Sequence, residues 1–154
     1  MQKISENITY LEAIHSATAK RKGLDNTPNA EQLDNMYRTA EFIFQPLRLW
    51  VGGPIKVNSF FRSVAVNRAV GGTSRSQHCK GQALDLDDVY GYKTNAEMFM
   101  YIKDHLDFDQ LIWEFGTNTN PNWIHVSYVS AKENRNRVLK AVREEGKTIY
   151  KIMN

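Results

Sequence analysis

A chain of 154 residues that is 42% hydrophobic and 24% charged has the length and balance of one soluble domain, with a core large enough to fold without disulfide staples. The lone cysteine, Cys79, excludes an internal disulfide, and no stretch nears the roughly eighteen apolar residues of a membrane span. A net charge of +3 with one short basic cluster at residues 20–22 is too small an excess to argue for nucleic acid. Residues 1–10 hold no apolar run, so the expectation is synthesis in the cytoplasm without a signal peptide.

Ile8, Leu11, Ile14 and Ala17 fall at helical spacing and predict a weakly amphipathic helix over residues 8–20. Asn26, Thr27 and Pro28 mark a turn and a second helix start, with Thr27 as N-cap and Pro28 in the first helical position. That helix runs to about residue 47, with Leu33, Met36, Tyr37, Ala40, Ile43 and Phe44 on one face, and Pro46 kinks or closes it. After the turn at Gly52, Gly53 and Pro54, residues 55–61 alternate as a short strand. Residues 63–70 form a short helix ended by Gly71 and Gly72. Residues 81–87 alternate again, and 94–106 carry Met98, Ile102 and Leu106 at helical spacing. Residues 109–115 and 123–129 make an antiparallel hairpin around a polar loop. Residues 134–145 are expected as a basic, exposed helix and 148–153 as an edge strand. This order predicts an α+β fold, a small antiparallel sheet packed with helices in a single domain over 1–154. Its parts are N-terminal helices over 1–50, a mixed core over 51–130, and a C-terminal helix and tail over 131–154.

Four polar residues stand out against this pattern. His78 and Asp85 lie seven apart, across a turn at Gly81 and into a strand. His125 sits in the middle of an apolar strand, and Glu114 ends its neighbour. Two imidazoles and one carboxylate are a normal zinc set in hydrolases, with a fourth position left for water. They leave the metal net positive, which brings the pKa of that water toward neutrality. Strand parity favours a shared cleft. Trp123, His125 and Ser127 oppose Ile124, Val126 and Tyr128, while Gln110, Ile112 and Glu114 oppose Leu111, Trp113 and Phe115. Asp85 likewise opposes Leu84 and Leu86. A structural His–Asp ion pair fits the same pattern, and spacing alone does not choose between it and a metal set.

The segment Ser76-Gln77-His78-Cys79-Lys80-Gly81-Gln82-Ala83-Leu84-Asp85 matches Ser-x-His-x-x-Gly-x-Ala-x-Asp, five fixed positions in ten residues. It resembles the signature of the zinc D-alanyl-D-alanine carboxypeptidases and their relatives, which include phage endolysins and the Hedgehog signalling domain. Asn122-Trp123-Ile124-His125-Val126-Ser127 is similar to the family's second-histidine strand. Ser59-Phe60-Phe61-Arg62-Ser63, with Asn67 and Gly71-Gly72, resembles the phage-type branch. So do Leu24-Asp25-Asn26-Thr27-Pro28 and Gln45-Pro46-Leu47-Arg48, and the resemblance covers residues 4–130.

The resemblance implies a Hedgehog/DD-peptidase-like fold holding one zinc ion on His78, Asp85 and His125. Arg62 would bind a substrate carboxylate, Ser76 would hydrogen-bond substrate or support His78, and Gln77 would line the same wall. Many relatives carry Asp or Glu three residues before the second histidine. Here that residue is Asn122, whose amide takes no proton from water at neutral pH. Glu114 is the substitute as catalytic base, with Asp87 and Asp88 as weaker candidates. Cys79 is expected to face away from the metal. The activity implied is cleavage of a peptidoglycan stem peptide, as a D-Ala-D-Ala carboxypeptidase or an endopeptidase, by a monomer of phage or prophage origin. It would act on the wall after release at lysis, or as a virion component, with no nucleic acid or membrane partner. The alternative is a non-catalytic zinc-containing module that binds cell wall or a protein, and Asn122 is its main support.

Overall fold

The computed structural model describes residues 2–153. At its start, strands Lys3–Ser5 (β1) and Ile8–Thr9 (β2) pair as an antiparallel ribbon. The helix expected over residues 8–20 is broken into Tyr10–Ala13 (α1) and Ala17–Lys22 (α2). The cause is capping chemistry. Thr9 Oγ1 accepts from Glu12 N and Ser16 Oγ from Ala19 N, both at 3.1 Å, so each starts a helix where one was to continue.

Ala30–Thr39 (α3) is capped by Asn29 rather than Thr27. Asn29 and Gln32 exchange bonds of 2.8 Å, while the Thr27 hydroxyl donates to Asp25. The rod does not close at Pro46. A π turn at Ala40–Phe44 leads into Gln45–Val51 (α4). Proline lacks the N–H of a regular turn and crowds the carbonyl four residues back, and the wider turn relieves both conflicts. The rod buries Met36, Ala40, Ile43, Phe44, Leu47 and Val51 in the main core.

The sheet is built from Lys56–Ser59 (β3), Ala83–Asp87 (β4), Gln110–Glu114 (β5), Trp123–Ser127 (β6), Arg137–Glu144 (β7) and Lys147–Ile152 (β8). Among the described residues its order is β3-β4-β6-β5-β7-β8. Val64–Ala69 (α5) follows β3, and Asn95–His105 (α6), capped by Thr94, follows β4. One sheet face packs Leu84, Leu86, Leu111, Trp113, Ile124 and Val126 against the α3–α4 rod and α6. The α+β class follows from this layering, as the sequence order predicted.

The C-terminal part differs from expectation. Residues 134–145 do not form an exposed helix: Arg137–Glu144 is strand β7, paired parallel to β5 and antiparallel to β8. Basic residues at 137, 140 and 143 imitate helical spacing, but Val138, Leu139 and Ala141 are buried. Pairing with the otherwise open edge of β5 overrides that local preference. Glu145 (φ 52) and Gly146 (φ 75) make the hairpin turn into β8. The sheet is therefore mixed rather than purely antiparallel.

Gly81 joins the 3₁₀ turn Gln77–Lys80 to β4 with φ 74, and a Cβ there would lie 2.5 Å from the Gln32 carbonyl oxygen. Polar side chains of α3 hold this turn. Gln32 Nε2 donates to the Cys79 carbonyl, Asn35 Nδ2 to that of Lys80 and Thr39 Oγ1 to that of Gly81, at 3.0, 2.9 and 3.1 Å. Gly91 also has positive φ, 82, but open space around it. Gly91→Ala should therefore cost only about 1 kcal/mol, the left-handed penalty. Gly81→Ala adds a backbone clash and should cost about 2 kcal/mol more in urea unfolding. Equal losses would contradict the clash.

Candidate metal centre

His78 is carried by the 3₁₀ turn and is 1% exposed. Its Nδ1 lies 2.7 Å from the Phe60 carbonyl oxygen. A carbonyl only accepts, so Nδ1 bears the proton and Nε2 of the neutral ring carries a lone pair. That Nε2 sits 3.2 Å from Asp85 Oδ2 yet has no hydrogen-bond partner among the described residues. The other carboxylate oxygen, Oδ1, is 2.9 Å from His125 Nδ1. Asp85 and His125 are register partners on β4 and β6, so the sheet itself sets their separation.

Charge sharpens this arrangement. Burial pulls the His78 pKa below its ordinary value, against the opposing influence of Asp85. For Asp85, burial alone would raise the pKa, but the two histidines outweigh it and hold the carboxyl well below the usual range. At neutral pH a lone pair thus faces a carboxylate with no proton between them. A cation completes the set. The donor atoms of His78, Asp85 and His125 all lie within 4.8 Å of one another. Bonds of 2.0–2.1 Å in a tetrahedron separate ligand atoms by about 3.3 Å. The two imidazoles approach opposite oxygens of Asp85, His78 Nε2 at 3.2 Å from Oδ2 and His125 Nδ1 at 2.9 Å from Oδ1, each near that edge. Two nitrogens and one carboxylate oxygen suit zinc and leave a position open.

Glu114 ends β5 on the same sheet face. It is register partner to Trp123, while Ile112 partners His125, so Glu114 stands diagonal to His125, about 7–8 Å away between backbones. It is 8% exposed and its Oε1 has no partner among the described residues. Burial pushes its pKa up to about 7, with His125 lowering it and Asp85 raising it. A carboxyl poised there can take a proton and give it back. Asn122, by contrast, is exposed, and its backbone N–H donates to the Glu114 carbonyl to close the hairpin.

The other sequence candidates divide. Arg62 joins the group: its N–H donates to the His78 carbonyl at 3.2 Å, its charge bears on His78, and its buried Nε is unpartnered among the described residues. Ser76 supports the histidine, its Oγ accepting from His78 N at 3.3 Å. Gln77 does not line that wall. Its amide donates to Asp109 Oδ2 at 2.9 Å, beside the two-bond Arg135–Asp109 pair. A 3₁₀ turn sends successive side chains to different sides, and Gln77 and Cys79 both line a polar hollow with Gln32 and Arg135. Burial pushes the Cys79 thiol up, which keeps it protonated. Asp87 accepts from Asn95 and Asp88 from Gly91 N, both in local turn structure.

Two features escape sequence reasoning. Asn95 is buried and ties Asp87 to the carbonyls of Pro121 and Asn122, anchoring the loop before β6. Phe115, expected on the core face, adopts φ 56 and turns its ring to Ile112, Leu139 and Ala141 on the site face. Gly116 after it, at φ 74, was the only local sign that the strand ends there.

Residues 6–127 match the family model described as Peptidase M15, a span that includes His78, Asp85, Glu114 and His125. Comparison with curated proteins gives no match. The burial of Glu114 makes a prediction for the metal-free protein. Its folded pKa of about 7 lies above the unfolded value of 4.5, so stability is full below pH 4.5 and is lost as pH rises through 7. The loss reaches about 3 kcal/mol. Glu114→Gln should remove that loss, unfolding at higher urea than wild type at pH 8 and at similar urea at pH 4.5. Identical pH profiles for the two proteins would contradict it.

Proposed function

The chain belongs to the M15 peptidase family, whose members are zinc-dependent peptidases, and from that premise we propose that it hydrolyses a peptide bond of the bacterial peptidoglycan stem peptide. The observation that carries this reading is the lone pair of His78 Nε2 set against Asp85, with the buried carboxyl of Glu114, whose Oε1 has no partner among the described residues, on the same face. His78 Nε2, Asp85 and His125 Nδ1 would hold the metal. When bound, zinc acidifies water and polarises a carbonyl.

The protein's own groups then have defined tasks. The Glu114 carboxylate takes a proton from the attacking water, whose oxygen bonds to the scissile carbonyl carbon. As the C–N bond breaks, Glu114 returns that proton to the leaving amine, so one water is consumed and the enzyme is restored. A bound metal cation would add positive charge nearby and draw the Glu114 pKa below about 7, favouring the carboxylate before each turnover. Arg62, with its forked guanidinium beside His78, fixes a substrate carboxylate. Ser76 acts through the His78 backbone rather than on substrate.

The substrate contains D-amino acids, and the bond cut is either terminal D-Ala-D-Ala or one within the stem peptide. The phage-type residues between Ser59 and Gly72 support a phage or prophage source, with the enzyme held in the cytoplasm until the membrane opens or carried on the virion. Asn122, standing where a carboxylate is common, favours a second reading, a zinc-containing module that binds the wall without cutting it.

Glu114→Gln separates these readings. Zinc content should stay at the wild-type level while muropeptide hydrolysis, followed by mass spectrometry, falls by about 10²–10⁴. His78→Ala should lose the metal itself. A zinc-loaded wild type that leaves every muropeptide intact would overturn the peptidase reading in favour of the binding module.

A further inference from the structure

The C-terminal hairpin lies outside the matched span of residues 6–127, yet it extends the site face of the sheet. Glu114 is register partner to Ala141 on β7, and Ala141 is register partner to Tyr150 on β8. The three therefore stand in one row on one face, with Tyr150 two strand spacings from Glu114, about 9–10 Å between backbones. The residue between them on β7 is alanine, fully buried, with the Phe115 ring packed on its cluster. Tyr150 is itself 54% exposed and forms the outer rim of the row. Burial pushes its phenol pKa up, and the charges of Glu114 and Asp85 push it further, so both carboxyls are within electrostatic reach of that ring.

On the peptidase reading above, we propose that Tyr150 is a further catalytic residue, its neutral phenol donating a hydrogen bond to the scissile carbonyl oxygen of the substrate as that oxygen gathers negative charge. The requirement is chemical. The Arg62 guanidinium is committed to a carboxylate on that reading, and Glu114 handles the proton, so neither serves the oxygen from the protein side. The row places a neutral O–H donor on the outer strand of the same sheet face. The phenol transfers no proton. It contributes only through a bond that strengthens as charge develops, which is the condition for raising kcat rather than lowering KM.

Tyr150→Phe keeps the ring and removes the donor. Its kcat on muropeptides should fall at least about 10-fold, toward the ~100-fold typical of a lost oxyanion donor, with KM within about 2-fold and zinc content unchanged. A binding measurement gives an independent readout. A phosphinate analogue of the stem dipeptide, tetrahedral and anionic at the position of the carbonyl, should bind the zinc-loaded variant about 10-fold more weakly by calorimetry, while the hydrolysis product binds both proteins equally. Ile149→Ala, on the other face of β8, serves as the control for strand damage and should match wild type in both assays. An active wild type with Tyr150→Phe unchanged in kcat and phosphinate affinity overturns the Tyr150 role alone. A zinc-loaded wild type that neither cleaves muropeptides nor binds the phosphinate overturns the peptidase reading and this inference together.

Discussion

The hydrogen bond from His78 Nδ1 to the Phe60 carbonyl, 2.7 Å long and buried, is the constraint on which the rest of the site depends. It fixes the tautomer, and so it decides that Nε2 presents a lone pair to Asp85 rather than a proton. Without it the His78–Asp85–His125 group would be an ordinary ion-pair cluster. With it, the group has a surplus of electron pairs and one complement, a cation. The polar contacts of α3 serve this bond. They hold the carbonyls of Cys79, Lys80 and Gly81, and with them the turn on which His78 rides.

The sheet divides the remaining work between its faces. One face is apolar and packs on the α3–α4 rod, which makes the strand register stiff. The other carries Asp85 and His125 as direct partners and Glu114 one pair further along, so the geometry of the site is the geometry of the ladder. A second, smaller apolar group of Ile112, Leu139, Ala141 and Phe115 lies beside it on that face. Its Ala141 is the register partner of Glu114, and burial raises the pKa of that carboxyl, which would otherwise be ionised and solvated. Phe115 reaches this group only by taking a left-handed backbone, a strained choice for an aromatic residue and one made beside the reacting groups.

Much of this was legible because period-two alternation is a direct record of burial. Leu84 and Leu86 against Asp85, and Ile124 and Val126 against His125, place both candidate ligands on one face from the sequence alone. Gly81 was legible for the same kind of reason, since a turn that folds His78 back on Asp85 needs positive φ. What failed was whatever depends on a distant partner. Residues 137–144 became a strand because β5 had an unpaired edge, which no local pattern records. Gln77 turned from the site because Asp109, far along the chain and paired with Arg135, accepts a hydrogen bond from its amide. Pro46 signals a kink or a helix end, and the π turn that carries the rod through it has no sequence signature of its own.

His78 Nε2, Asp85 and His125 are proposed to form one zinc site with an open position. X-ray absorption at the zinc edge, on protein loaded to constant stoichiometry, tests it most directly. One zinc per chain is expected, with two imidazole nitrogens in the inner shell, light oxygen neighbours filling the rest, and no sulfur. A sulfur shell from Cys79, a single imidazole, or failure to hold zinc through dialysis would contradict it.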